Sequence, residues 1–283
     1  MYSCQFKTGE VVINVETPEK LDVNDRFSLF LSDGENADVT VKFEYTDEIK
    51  VQGRIIADCD NLLITEDDGY NCYYYHLTGE SDYYALRKER KNANCQKIVY
   101  LPKKYKGQIW TRVVFDLMGY EDIAAQNGAV VFHASVVEHN GGAILFTAPC
   151  GTGKSTQAEL WRKYRNADII NGDKALIYVK DGVPTVSGLT FCGSSNICKN
   201  KKLPVIAIVS LSQAKENTIR KLTGLGAYKA IYGGCYHSSS GVEINRMIDD
   251  VAEKFALSVP VVSLACLPDS SAVDTLDGFL FAK

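Results

Sequence analysis

The chain has 283 residues, 46% of them hydrophobic and 23% charged, enough apolar material for one large domain or two modest ones around a buried core. Its formal net charge of −4 carries no footprint for nucleic acid, and no stretch approaches the ~20 apolar residues of a membrane-spanning helix. The first residues lack the basic start and apolar run of a secretory signal. The nine cysteines are odd in number and contain no Cys-x-x-Cys pair, which argues against a disulfide framework or structural zinc site and fits reduced thiols in the cytoplasm.

The first ~100 residues read as short strands rich in β-branched and aromatic residues. They fall at Val11–Val15, Phe27–Leu31, Val39–Tyr45, Asn61–Thr65, Cys72–Leu77 and Lys97–Leu101. Asp67-Asp68-Gly69 is a hairpin signal. The aromatic run Tyr70–His76 reads as a strand with one packed face, a ligand-stacking surface being the alternative. The charge clusters Arg87–Lys91 and Lys199–Lys202 read as solvated faces or loops, the second alternatively as an acceptor-side anion patch.

Pro102–Gly107 breaks the strand pattern, and Trp110, Val113, Val114 and Leu117 then recur at helical spacing. From there strands and helices interleave. Strands are expected at Val130–Phe132, Ser135–Val137, Ala143–Thr147, Asp168–Ile170, Val205–Leu211 and Val259–Ala265. Hairpins are expected at His139–Gly142 and Asp181-Gly182, and helices at Ser155–Tyr164, Gly241–Leu257 and Ser271–Phe281. This pattern predicts an α/β fold with a mixed sheet. It divides the chain into a smaller β-rich region over 1–105 and a second domain over 106–283.

The strong chemical signal is the segment from Ala143 to Thr156, which matches the Walker A pattern G-x-x-x-x-G-K-[ST] with Ala148 in place of the leading glycine. A buried strand delivers the chain to a tight loop. Gly151 and Gly153 there permit the backbone angles that close a ring of N–H groups around phosphate oxygens. Ala148, Pro149, Cys150, Gly151, Thr152, Gly153, Lys154, Ser155 and Thr156 are therefore the expected nucleotide-binding residues. Lys154 neutralises the β- and γ-phosphates, Ser155 is placed to hold Mg²⁺, and the helix from Ser155 points its positive end at the anion. Cys150, inside this loop, is either a thiol activated by the helix terminus or a small residue that fits.

The order of the pieces narrows the class. Phe132-His133-Ala134-Ser135 precedes a hairpin, the hairpin leads into the loop, and Ile169-Ile170-Asn171-Gly172-Asp173 follows soon after. In this order the chain resembles the HPr kinase and phosphoenolpyruvate carboxykinase superfamily, which carries a His-Ala or His-Gly pair about 15–20 residues before a P-loop and then a strand ending in an acidic pair. Ser187–Ser195, Leu203–Leu211 and Asn217-Thr218-Ile219 are also similar to HPr-kinase-like proteins. The resemblance covers residues 128–283.

The resemblance implies a mixed-sheet P-loop kinase core that uses ATP and Mg²⁺ to phosphorylate a hydroxyl, often a serine of a protein or peptide. It carries Lys154 and Ser155 over as phosphate and Mg²⁺ ligands, His133 as the histidine that meets the acidic motif, and Asp173 as a member of the acidic pair that binds metal or orients the acceptor. Lys154, Asp173 and His133 are thus the expected catalytic set, and Ser155 and Asp173 the metal ligands. Gly172 stands where the family has its other acid, with Asp168 or His133 as substitutes. A buried, backbone-bonded imidazole at His133 and a helix cap at Asn217 are the plainer readings of those residues. The rivals are a simple ATPase or GTPase and a non-catalytic nucleotide-binding module of a peptide-maturation or regulatory complex. A carboxykinase is a poorer match, since such enzymes are far longer. Neither nucleic acid nor membrane is an expected partner; homo-oligomerisation and the preferred base stay open.

Overall fold

A computed structural model of the chain describes residues 1–80, 82–91, 95–239 and 241–282. It is a mixed α/β structure that divides into two compact units, Met1–Ile123 and Ala124–Lys283.

The first unit is built on β1 (Tyr2–Thr8), β2 (Val11–Thr17), α1 (Asp25–Ser28), β3 (Leu31–Ser32), β4 (Val39–Thr46), β5 (Arg54–Cys59), β6 (Leu62–Asp67), β7 (Tyr70–His76), β8 (Tyr83–Arg90), β9 (Gln96–Pro102) and α2 (Thr111–Leu117). Its strands form one sheet in the order β3-β1-β2-β4-β9-β8-β7-β6-β5. The pairs β2/β4 and β4/β9 are parallel and the rest antiparallel. Asp68 and Gly69 close the β6–β7 hairpin as expected, and Cys72, Tyr73 and Tyr74 are buried in the sheet, so the aromatic run is a packed strand.

Three expectations for this unit are corrected. Of the expected strand Phe27–Leu31 only Leu31 is strand, as the start of β3, because Asn24 accepts from the Arg26 and Phe27 amides and starts a helical turn instead. The boundary lies beyond 105: the Phe115 ring on α2 packs 5.2 Å from Phe6 and 4.8 Å from Phe27, and the Tyr120 hydroxyl donates to Thr8 Oγ1 at 2.7 Å. These contacts tie residues 106–123 into the first core. Finally, the Arg87–Lys91 cluster is not simply solvated. Arg87 is buried between Glu89 (2.7 Å) and Asp122 (3.1 Å), with its guanidinium 4.0 Å from the centre of the Tyr73 ring. Lys97, also buried, bonds Glu89 at 2.7 Å.

The helix α3 (Tyr120–Gln126) runs across the division into the second unit. That unit comprises β10 (Ala129–His133), β11 (Ser135–His139), β12 (Gly142–Thr147), α4 (Lys154–Arg165), β13 (Asp168–Asn171), β14 (Lys174–Lys180), β15 (Val183–Gly188), β16 (Lys202–Gln213), β17 (Thr218–Leu222), α5 (Leu225–Tyr232), α6 (Val242–Ser258), β18 (Val261–Cys266) and α7 (Ser270–Phe281). The sheet order is β10-β14-β15-β16-β12-β11-β13, with β18 beside β16 and β17 beside β18. It is mixed: β12/β16 and β16/β18 are parallel, the other pairs antiparallel.

Every residue of β12 is buried, because helices cover both faces of the sheet. Leu145 joins Phe132, Ile208 and Phe255 in the core that includes α5 and α6 residues; Ile144 and Phe146 join Trp161, Val209 and Leu264 in the core that includes α4 and α7 residues. A strand buried on both faces has no reason to alternate, which is why its sequence is an unbroken apolar run. Among the described residues, no helix is long and apolar enough to cross a membrane.

Candidate functional site

The loop leaving β12 turns into α4 at residues 148–154. Gly151 and Gly153 adopt φ of 77° and 118°, and a Cβ built on either would meet nothing within 4 Å. Their need for glycine therefore comes from left-handed backbone angles, not from crowding by the protein. Ala148, by contrast, lies outside the positive-φ positions and packs against the core that includes α4 and α7 residues, so a side chain is tolerated where the motif usually has glycine. Gly153 caps α4 without a side-chain acceptor, which leaves the amides of the first turn free to face an anion.

Lys154 is only 7% exposed. Its ammonium folds back on the loop, donating to Ala148 O at 2.9 Å and Pro149 O at 3.3 Å. Burial pushes its pKa below the usual lysine range, against the opposing pull of Cys150 and Asp173. A desolvated cation over a glycine loop is electrostatically incomplete, and an anion at the loop would complete it. Ser155 and Thr156 are exposed on the first turn of α4, and Cys150 is an exposed free thiol beside them.

His133 ends β10 and Asp173 sits in the tight turn between β13 and β14. Their side chains meet, with His133 Nε2 donating to Asp173 Oδ1 at 3.2 Å. The backbone fixes both: Ala134 N donates to Asp173 O at 3.0 Å, and Thr147 Oγ1 to His133 O at 3.0 Å. The hydrogen bond from His133 holds the Asp173 carboxyl below the usual carboxylate range, against partial burial, with the charges of His133, Lys174 and Lys154 adding to the effect. Asp173 is therefore ionised at neutral pH and lies within electrostatic reach of Lys154. His133 is thus a carboxylate partner, not merely a backbone-bonded core imidazole.

Two residues that sequence reasoning passed over complete this region. Asn171, fully buried, accepts from the Asp173 and Lys174 amides at 2.9 and 3.1 Å and donates to Leu189 O at 2.7 Å, which fixes the turn that presents Asp173. Tyr236 is brought in by Tyr236 N donating to Val131 O. Its ring lies 6.1 Å from that of His133 and 4.0 Å from the Lys174 ammonium, which also sits 5.2 Å from Phe191. Lys174 thus stands between two aromatic rings beside Asp173, with no carboxylate within ion-pair distance among the described residues.

The two substitutes for the missing second acid do not serve equally. Asp168 begins β13, at the far end of that strand from Asp173, and is bound to Lys199; only His133 reaches the site. Lys201 pairs with Glu138, so Lys199 and Lys201 of the Lys199–Lys202 run are both engaged in surface ion pairs. Asn217 does not cap α7, whose cap is Asp269; it accepts from Leu267 N at 2.9 Å and donates to Ser271 Oγ at 2.6 Å, pinning the β18–α7 loop.

A family model described as "SynChlorMet cassette protein ScmC" matches residues 101–267, more than half of the chain and all of the loop, His133, Asp173 and Tyr236. The chain belongs to the ScmC family. No curated protein matches it. Among solved structures, the HPr(Ser) kinase/phosphatase from Coxiella burnetii is similar over 52% of this ScmC-family chain and 92% of its own, at 13% identity and a TM-score of 0.31, an overlap that assigns no residue a role.

Proposed function

We propose that the second unit binds ATP and transfers its γ-phosphoryl group to a hydroxyl acceptor, a serine of a protein or peptide. The observation that carries this reading is the meeting of two devices: a glycine loop with a desolvated lysine at the end of β12, and an ionised carboxylate, braced by a histidine, within reach of that lysine. Phosphoryl transfer depends mainly on positioning and charge stabilisation, and these are what the two supply.

In this mechanism the loop amides and Lys154 hold the β- and γ-phosphates. Asp173 accepts the hydroxyl proton as the acceptor oxygen bonds to the γ-phosphorus and the bond to the β–γ bridging oxygen breaks, the electron pair leaving with ADP. His133 positions Asp173. Lys174, between Phe191 and Tyr236, faces the acceptor side. Hard oxygen donors suit Mg²⁺, and Ser155 and Asp173 would hold it together with phosphate oxygens, since among the described residues no cluster of three or more His, Cys, Asp or Glu could bind a metal alone. Bound there, Mg²⁺ neutralises charge on the transferring group.

The test is incubation of the full chain with γ-labelled ATP, Mg²⁺ and a lysate of the source cell. Label should enter a discrete acceptor and be absent with Lys154→Ala or Asp173→Asn; release of free phosphate alone would make the protein an NTPase instead. One observation favours a second reading. Gly172 leaves one carboxylate where two are expected, and a lowered pKa makes Asp173 a weak base, so a module that retains intact ATP fits as well. ATP unchanged after prolonged incubation with Mg²⁺ and lysate identifies that case.

A further inference from the structure

On the α4 side, the loop itself borders a cleft that extends beyond the residues given to the phosphates. This cleft of about 330 Å³ is lined by Gly153, Thr156, Gln157, Leu211, Gln213 and Leu267, with Ala214 and Pro268 at its sides. Its size is at the lower end for small-molecule sites, and its walls are mainly apolar with a few polar groups. If the γ-phosphate lies toward Lys154 and Asp173, the sugar end of a bound triphosphate leaves past the first turn of α4, where Thr156 lines the cleft.

Gln157 is 2% exposed and makes half of its hydrogen bonds. Its Nε2 donates to Cys266 Sγ at 3.3 Å and Leu267 O at 3.4 Å, but its Oε1 is buried with no partner. An orphaned buried acceptor costs about 1–3 kcal/mol, and, turned into the cleft that Gln157 lines, it would recover this from a ligand N–H. The surroundings are built, not incidental: Asn217 clamps the backbone at Leu267, and Gln213 Nε2 reaches Gly151 O and Thr152 O at 3.4 Å, joining the cleft to the loop. Leu211, Leu267 and Pro268 offer flat apolar surface to a ring.

We infer that this cleft seats the base of the bound nucleotide, an amino-bearing purine, with Gln157 Oε1 as the acceptor that reads the base. The inference rests on the nucleotide reading above, and its test separates the two. Calorimetry of the full chain with Mg²⁺ compares ATP, ITP and inorganic tripolyphosphate, for the native sequence and for Ala214→Trp and Gln157→Leu.

ATP should bind at least about 10-fold more tightly than tripolyphosphate, and ITP, lacking the amino group, should bind more weakly than ATP. Ala214→Trp should bring ATP down to the tripolyphosphate level while tripolyphosphate binding holds, which also shows that the variant is folded. Gln157→Leu should erase only the ATP–ITP difference. Equal binding of ATP and tripolyphosphate by the native chain overturns the base site and leaves the phosphate loop standing. Equal ATP and ITP overturns the amino-group assignment, as does a preference that survives Gln157→Leu; an ATP advantage that survives Ala214→Trp puts the base elsewhere. Failure of all three ligands to bind removes the nucleotide reading itself.

Discussion

Ser195 fills the space that a side chain at residue 172 would need: a Cβ built on Gly172 would lie 1.9 Å from Ser195 Oγ and 2.5 Å from Ser195 Cβ. The Ser195 hydroxyl donates to Cys192 O at 2.6 Å and accepts from Ile197 N at 3.2 Å, and Gly172 N donates to Ile197 O at 3.2 Å. Glycine at position 172 is therefore required by the packing of the 192–197 turn. Gly172→Asp should destabilise the chain by about 1–3 kcal/mol through overpacking, read as a lower urea midpoint, and should not raise phosphoryl transfer. Adding Ser195→Gly should recover part of the stability. A Gly172→Asp chain as stable as the native one contradicts this account of the turn.

The Asp173–His133 pair gives a pH signature. Because the folded carboxyl is depressed, Asp173 contributes stability above its unfolded pKa, and that contribution is lost as pH falls through the lower folded value. Urea midpoints measured on acidification should thus depend less on pH in Asp173→Asn. In His133→Ala the Asp173 pKa rises, so the acidic limb of transfer activity should move to higher pH. An unmoved limb means that His133 does not set the ionisation of Asp173.

Much of the second unit was legible because its signals are local. The apolar run Ala143–Phe146 of β12, the Asn140-Gly141 turn with φ of 51° and 79°, and the glycine spacing before Lys154 each follow from a few neighbouring residues. What was not legible depends on distant packing. Asn171 is an ordinary polar residue at the end of a strand until its amide is seen to fix the Asp173 turn. Tyr236 joins His133 from about a hundred positions away through a segment laid along β10. In the first unit, β8 was hidden by its charges: Arg87 and Glu89 look solvent-seeking until Asp122 and Lys97 supply their partners.

Lys174 should affect the acceptor and not the nucleotide. Its ammonium is held over the Tyr236 ring, and under the proposed reaction it would meet negative charge near the acceptor hydroxyl. Lys174→Gln should leave ATP affinity within about twofold, a change below 0.5 kcal/mol, and cut labelling of the acceptor more than tenfold. Equal losses in both measurements would show that it serves the phosphates instead.

Removing Arg87 tests the first unit. The guanidinium is 4% exposed and compensates Glu89 and Asp122, and a Cβ on Gly119 would collide with it at 1.8 Å. Arg87→Leu leaves buried carboxylates poorly compensated and should cost about 3–5 kcal/mol in urea unfolding. Gly119→Ala, which adds a methyl at a φ of 69°, should also destabilise. A loss below 1 kcal/mol for Arg87→Leu, roughly what an exposed pair contributes, would mean the network is solvated.

Titration of the full chain with ATP and Mg²⁺ in a calorimeter, beside Lys154→Ala, bears most directly on whether residues 148–156 grip a triphosphate. The account predicts saturable one-site binding that falls at least about 100-fold in the variant, since the cation proposed to pair with the phosphates is lost, while its urea midpoint changes little. No heat at millimolar ATP, or equal affinity in both chains, would contradict it.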